Sequence, residues 1–408
     1  MVGIADSAVK HYRTGAHRTC APDATICRLK PILEKFGITR VANLTGLDRT
    51  GIPVVMVCRP NARSSAVFHG KGLTLVAAKA SGLMEAIETW HAEHVQRPLR
   101  LASAADMALS FPLVDLDGLP RLPDSRFHAD LSMLWCEADD LIGEGTLWLP
   151  FETVHANSTF PEPPGSGCFS ASTNGLASGN HPLEATSHAL CEVIERDATS
   201  LWHRLHPQLQ EQTRLDLSSV EDPSCRAVIG CFEQGSVDAA AWDITSDIGV
   251  PAFLCLVVDR RNETGHVGRG AGCHPSREIA LLRALTEAAQ VRTTYIVGSR
   301  EDITPDDYAP STLDARRVHA RGLMRAMAQA RRFGSIRSFG FDAFESEVAW
   351  LLQRLRSVGI RQVVAVDLSR AEFGVPVVRV VVPGLEGSDH HAGYTPGKRA
   401  CAIAELRP

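Results

Sequence analysis

Long apolar runs are missing from this chain: none approaches the roughly 20 residues that a bilayer-spanning helix needs. The N-terminus, with Asp6, His11 and Arg13, has no apolar secretory core, so a cytoplasmic location is expected. An excess of positive charge is missing too. With a formal net charge of -5 and an isoelectric point near 6.3, the chain offers no basic field for a phosphate backbone, which excludes nucleic acid as the main partner. No C-x-x-C pair occurs among the eleven cysteines scattered from Cys20 to Cys401, so neither a disulfide framework nor a thiolate zinc site fits. The cysteines read as small structural residues, Cys20 and Cys27 included. A Walker loop, G-x-x-x-x-G-K-[ST], is also lacking. Gly70-Lys71-Gly72 has neither the earlier glycine nor the final hydroxyl, so any nucleotide here must be held in another way.

What is present is an ordinary globular composition, 44% hydrophobic and 22% charged over 408 residues, enough for a large core. The chain repeats itself. Residues 41–58 (VANLTGLDRTGIPVVMVC), 241–258 (AWDITSDIGVPAFLCLVV) and 365–382 (AVDLSRAEFGVPVVRVVV) each predict a strand, a tight connection and a second strand. Gly51, Gly249 and Gly374 take the turn, and Pro53, Pro251 and Pro376 open the next extended segment. These β-branched runs are read as buried scaffold.

A second triplication, A-x6-E-x-x-[EQ], falls on three predicted helices: Ala78–Glu88, Ala185–Glu195 and Ala280–Gln290. Glycine-rich starts precede them, Gly70-Lys71-Gly72, Gly179-Asn180-His181-Pro182 and Gly272-Cys273-His274-Pro275, with proline expected at the first helical position. A Glu pair at i, i+3 is by itself an ordinary solvated face. Here the surroundings are apolar on several faces, so the helices should be buried. Ser81, Glu85 and Glu88 then form one polar stripe at i, i+4, i+7. His188, Glu192 and Glu195 form a second, and Arg283, Glu287 and Gln290 a third. Buried carboxylates need cations, and Arg283 and Lys71 cannot neutralise all five. Hard divalent ions can, and magnesium is usually shared between carboxylates and substrate phosphates. The residues therefore predict a magnesium-nucleotide site, with Glu85, Glu88, Glu192, Glu195 and Glu287 as candidate metal ligands. His181 and His274 are expected to serve the helix starts.

At these helices the chain resembles the YcaO family, on GKGLTLVAAKASGLMEAIE, GNHPLEATSHALCEVIERDA and GAGCHPSREIALLRALTEAAQVR. The resemblance implies an α/β fold with repeated strand pairs and glutamate-bearing helices around ATP and two or more magnesium ions. It places Ser81, Glu85, Glu88, Glu192, Glu195, Arg283, Glu287 and Gln290 at the nucleotide, and Lys71, read from the residues, adds a point charge for phosphate beside them. It implies ATP-dependent phosphorylation of a peptide backbone amide for attack by a nucleophile. No single catalytic base is identified. Thr89 stands where many members have Arg, which leaves one phosphate contact without its residue. The ending AIAELRP differs from the PxPxP tail of many azoline-forming relatives, and the pattern is similar to stand-alone members that make thioamides with a TfuA-like partner. Azoline formation, an ATP-independent metal hydrolase and a non-catalytic nucleotide-binding scaffold stay open, and a homodimer is allowed.

The implied organisation is an N-terminal extension (1–40), a catalytic domain (41–387) and an irregular tail (388–408) carrying His390 and His391. A loop is expected over 158–168, an exposed Arg- and Ala-rich helix over 312–332, and an amphipathic helix over 344–358.

Overall fold

The computed structural model describes residues 8–143, 145–260, 265–325, 329–387 and 394–406. All three predicted strand pairs form: Arg40–Asn43 with Val54–Cys58, Val237–Asp243 with Ala252–Asp259, and Val364–Asp367 with Val377–Val381, each antiparallel. Gly51, Gly249 and Gly374 have φ of 66°, 75° and 60°, the left-handed region that L side chains avoid. Ala252–Asp259 is buried along its whole length, as its apolar run requires.

Each pair acquires a third strand that leads straight into a glutamate helix. Val67–Lys71 pairs with Val54–Cys58 and precedes Leu75–Glu93. Gly268–Cys273 pairs with Ala252–Asp259 and precedes Arg277–Val297. Leu176–Ser178 pairs with Val377–Val381 and precedes Pro182–Arg204. The fold is thus three strand-pair, strand, helix units. In the third the chain order is rotated, with strand and helix coming before their strand pair. That third unit sits in a six-stranded sheet in which Leu99–Ala102 and Met133–Asp140 extend Val364–Asp367, and Thr146–Pro150 pairs with Met133–Asp140.

The alanine of the repeat is the packing contact between helix and strand. A Cβ on Gly70 would lie 2.0 Å from the Ala78 carbonyl, one on Gly272 2.1 Å from the Ala280 carbonyl, and one on Gly179 2.7 Å from the Ala185 nitrogen. Those three alanines are fully buried. Glycine on one side and alanine on the other let backbones approach, which is why both motif halves are small residues.

Several boundaries differ from expectation. Gly70 and Lys71 belong to a strand, so the first helix starts later, at Leu75, behind the cap Thr74. Pro182 is the first helical residue as expected, but Pro275 lies ahead of the Ser276 cap. The Arg-rich helix is Pro310–Met324 and stops short of 332, where Arg331–Arg332 instead pairs with Leu215–Asp216. Phe344–Ser357 is helical as expected, and no regular element occupies 158–168. The tail is not wholly irregular: Lys398–Ala404 is a helix whose Arg399 pairs with buried Asp197 at 3.0 Å, while His390 and His391 lie outside the described residues. Cys27 and Cys401 are exposed, six other cysteines are buried, and all are free. No helix among the described residues is long and apolar enough to cross a membrane.

Candidate nucleotide and metal site

The three glutamate helices direct their polar stripes toward one another. Arg283 and Glu287 leave their helix over the glycine strand: a Cβ on Gly272 or Gly270 would lie 2.8 Å from the Cβ of Arg283 or Glu287 respectively. The glycines therefore clear the exit of two site side chains as well as seating the helix. Glu287 accepts a hydrogen bond from Lys71 Nζ at 2.5 Å and a weaker one from the Ala271 N–H at 3.3 Å. Lys71, at the end of the strand Val67–Lys71, and Glu287, on the helix Arg277–Val297, thereby tie the first two units together.

Glu88 crosses to the third unit. Its Oε2 accepts from both the backbone N–H and the hydroxyl of Ser178, each at 2.8 Å. Glu192 has Arg196 one turn on, 3.7 Å away, and Gln290 donates to the His69 carbonyl at 3.0 Å. Arg283 donates to the Cys273 carbonyl at 3.3 Å. Ser81 lies half-buried one turn ahead of Glu85. Of the residues expected at the site, all but Lys71 are on these stripes, and Lys71 reaches Glu287 from the end of its strand; Gln290 spends its amide on the backbone of the neighbouring strand.

Electrostatics binds the cluster into a unit. Burial lifts the Glu85 carboxyl from 4.5 to about 7; Lys71 and Arg300 oppose that, and the charges of Glu287 and Glu192 add to it. Glu192 is lifted to about 7 by burial, with Arg196 opposing and Glu195 reinforcing. Burial also raises Glu88, with Glu85 contributing, and raises Glu195, with Glu287 contributing. Only Glu287 is held below its ordinary value: Lys71 and Arg196 outweigh its burial. Side-chain exposures of 18% at Glu192 and 27% at Glu287 show that the cluster reaches solvent.

Four of five carboxylates are thus disfavoured as anions despite the cations around them. That is the property of a site built for added positive charge, and a carboxylate-rich, oxygen-only donor set fits magnesium.

Sequence reasoning missed Ser178, Arg196 and Arg379. Arg196 was readable, because it stands at i+4 from Glu192. Arg379 is 3% exposed, donates to the Thr153 and Ser172 carbonyls, and leaves its Nη1 without a partner among the described residues. Burial lowers its pKa to about 10, and Glu192 counters this. Neither Ser178 nor Arg379 carries a local signal, since strand pairing alone brings them here. His188, on the second stripe, is kept neutral by burial and by the charge of Arg283.

A compact His-carboxylate set lies beside this cluster: His17, His274 and Glu347 each place a ligand atom within 4.8 Å of the others. Buried Lys10 already matches the Glu347 charge at 2.5 Å, and Ser187 donates to the other oxygen at 2.6 Å. His274 Nδ1 accepts the Ser276 N–H at 2.9 Å, the helix-start role expected of it. The set fastens the N-terminal arm to Phe344–Ser357.

Ser178→Ala removes one of two bonds to Glu88 while keeping the backbone N–H. A hydrogen bond to a charged group contributes about 1.5–3 kcal/mol, so Mg-ATP binding weaker by at least roughly tenfold is expected by calorimetry. An unchanged affinity would show that Glu88 does not depend on this anchor.

Comparison with known proteins points one way. Residues 69–386 match the family described as YcaO cyclodehydratase, ATP- and Mg2+-binding. A protein in the tfuA 3′ region of Rhizobium leguminosarum bv. trifolii is 36% identical over 377 residues, covering 90% of this chain and 88% of that one. A Methanothermobacter thermautotrophicus protein is 35% identical, covering 90% and 94%. The structure of YcaO from Methanopyrus kandleri bound with AMPPCP and Mg2+ superposes with a TM-score of 0.75 at 22% identity, over 96% of this chain and 99% of that one. A heterocyclase in complex with substrate and cofactor also gives 0.75 at 22%, over 94% of this chain; this chain spans 54% of the heterocyclase.

Proposed function

The chain belongs to the YcaO family and binds ATP with Mg2+, and from that premise we propose that it phosphorylates a backbone amide of a peptide so that a sulfur nucleophile forms a thioamide. The observation that carries the reading is the five-carboxylate cluster, four of whose members are disfavoured as anions by the protein alone. Glu85, Glu88, Glu192, Glu195 and Glu287 would hold magnesium. When bound, the ions neutralise charge on the transferring phosphoryl group. Lys71, Arg196 and Arg283 act on the same carboxylates as fixed cations, and Ser81 and Gln290 would complete the site. The 41–387 segment is taken as the catalytic domain.

In the reaction, sulfide adds to the carbonyl carbon and the resulting oxyanion takes the γ-phosphoryl group of ATP, releasing ADP. The C–O bond then breaks as phosphate leaves, and loss of the sulfur-bound proton gives C=S. No side chain needs to bond covalently to the peptide. Catalysis then rests on positioning and on charge, which suits a site of carboxylates and arginines. The location of the Rhizobium relative in a tfuA 3′ region supports a TfuA-like partner.

The test is peptide mass spectrometry on cells carrying the intact protein or its Glu192→Gln variant. A peptide that exchanges oxygen for sulfur only with the intact protein is expected. Loss of one water in its place would assign azoline formation, and the absence of any difference would refute amide activation.

A further inference from the structure

A groove of about 560 Å³, none of whose lining residues is on the glutamate stripes, lies between the end of Val237–Asp243, the segment after Arg332, and the helix Phe344–Ser357. Its walls pair guanidinium with aromatic groups. Trp350 packs on Phe339 with ring centroids 4.5 Å apart, and also on Phe341 at 5.5 Å. Arg331, Arg337 and Arg354 surround them, against one carboxylate, Asp243. Arg331 is committed to Asp243 at 3.0 Å. Arg354 uses its Nε on the Ile248 carbonyl at 2.6 Å, which holds the side chain in place. Arg337 is exposed and has no hydrogen bond or ion pair among the described residues.

Resting on the amide-activating reading above, we infer that this groove anchors the peptide substrate through an acidic segment carrying an aromatic or large aliphatic side chain. Three guanidiniums against one carboxylate leave a local positive excess on a chain of net charge -5, so the patch runs against the protein as a whole. Trp and Arg lining a half-buried recess are the residue types that dominate recognition energy at protein surfaces. A carboxylate beside an aromatic ring satisfies both at once, because Arg337 supplies a planar donor pair and Trp350 an apolar wall.

The groove also communicates with the reaction site through backbone. Phe339 N–H donates to the Pro275 carbonyl at 3.0 Å and His274 N–H to that of Pro251 at 3.1 Å, so the groove wall is bonded to the segment that starts the helix Arg277–Val297. From Arg277 to Glu287 that helix rises ~15 Å at 1.5 Å per residue. An extended peptide covers this in roughly five residues, so the acidic anchor lies at least about that far from the modified amide.

The experiment uses the full-length chain and fluorescence anisotropy with a fluorescein-labelled peptide containing one Phe flanked by Asp residues. A second peptide has Lys in place of Asp. The acidic peptide is expected to bind at least tenfold more tightly than the basic one, and to weaken as salt rises. Arg337→Glu and Ser335→Glu, both at exposed positions, should each weaken it at least tenfold while Mg-ATP binding by calorimetry is unchanged. Equal binding of the two peptides, or full binding by both variants, overturns the inference. So does complete displacement by inorganic phosphate at the peptide's own concentration, which would make the groove a small-anion site. Failure of ATP binding in the intact protein beside normal acidic-peptide binding would bring down the amide-activating reading and leave the groove's preference standing.

Discussion

Glu85→Gln and Glu192→Gln are each expected to bind ATP at least a hundredfold more weakly than the intact chain in the presence of magnesium, with folding preserved. Gln copies the shape of Glu and keeps a carbonyl oxygen, so packing against the apolar faces of the helices is retained. It cannot carry the negative charge that a hard cation requires. Magnesium is usually held by one or two carboxylates together with phosphate oxygens and water, so loss of one is a loss of a large part of the protein's share. A hundredfold change corresponds to about 2.8 kcal/mol. Calorimetry with and without magnesium is the measurement. A metal role predicts that the variants and the intact protein converge when magnesium is withheld. Undiminished magnesium-dependent binding in both variants would return these glutamates to a structural role.

How the repeats combine explains what was readable beforehand. The Gly-x-Pro strand pairs and A-x6-E helices are local patterns, so spacing alone reveals them, and Gly51, Gly249 and Gly374 all take the left-handed turn expected. Which pair serves which helix was hidden. In the third unit Leu176–Ser178 and its helix come far ahead of Val364–Val381, and only hydrogen-bond register joins them. That same long-range pairing delivers Ser178 to Glu88 and Arg379 toward Glu192, two contacts no local motif announces. The tail helix was hidden because its stability comes from Arg399 meeting Asp197 and from Glu386 accepting the Ala400 N–H at 2.8 Å, both tertiary events. The overlong Arg-rich helix has the opposite cause: its composition favours helix past Met324, but pairing of Arg331–Arg332 with Leu215–Asp216 takes the chain into a strand.

The carboxylate cluster also predicts that removing its charge stabilises the ligand-free protein in a pH-dependent way. Glu85 and Glu192 have folded-state values of about 7 against 4.5 when exposed, so between those pH values the folded chain binds more protons than the unfolded one. Stability from these groups therefore falls as pH rises from about 4.5 to 7, and the penalty is complete above 7. Each pKa unit corresponds to ~1.4 kcal/mol, so the full penalty is on the order of 3 kcal/mol per group. The parent's own profile does not isolate it. His17, His69 and His91 are pushed down to about 4 by burial, so they bind protons only on unfolding and make stability rise over much the same pH range. Comparing parent with variant cancels the histidines. Thermal melts of Glu85→Gln and Glu192→Gln should match the parent near pH 4.5 and exceed it by several degrees at pH 8. Saturating Mg-ATP should shrink or erase the difference, because a hundredfold tighter binding stabilises the parent by about 2.8 kcal/mol more than the variant. A melting difference that stays constant with pH would show that these carboxyls titrate normally. The charge repulsion assigned to the carboxylate cluster would then be absent.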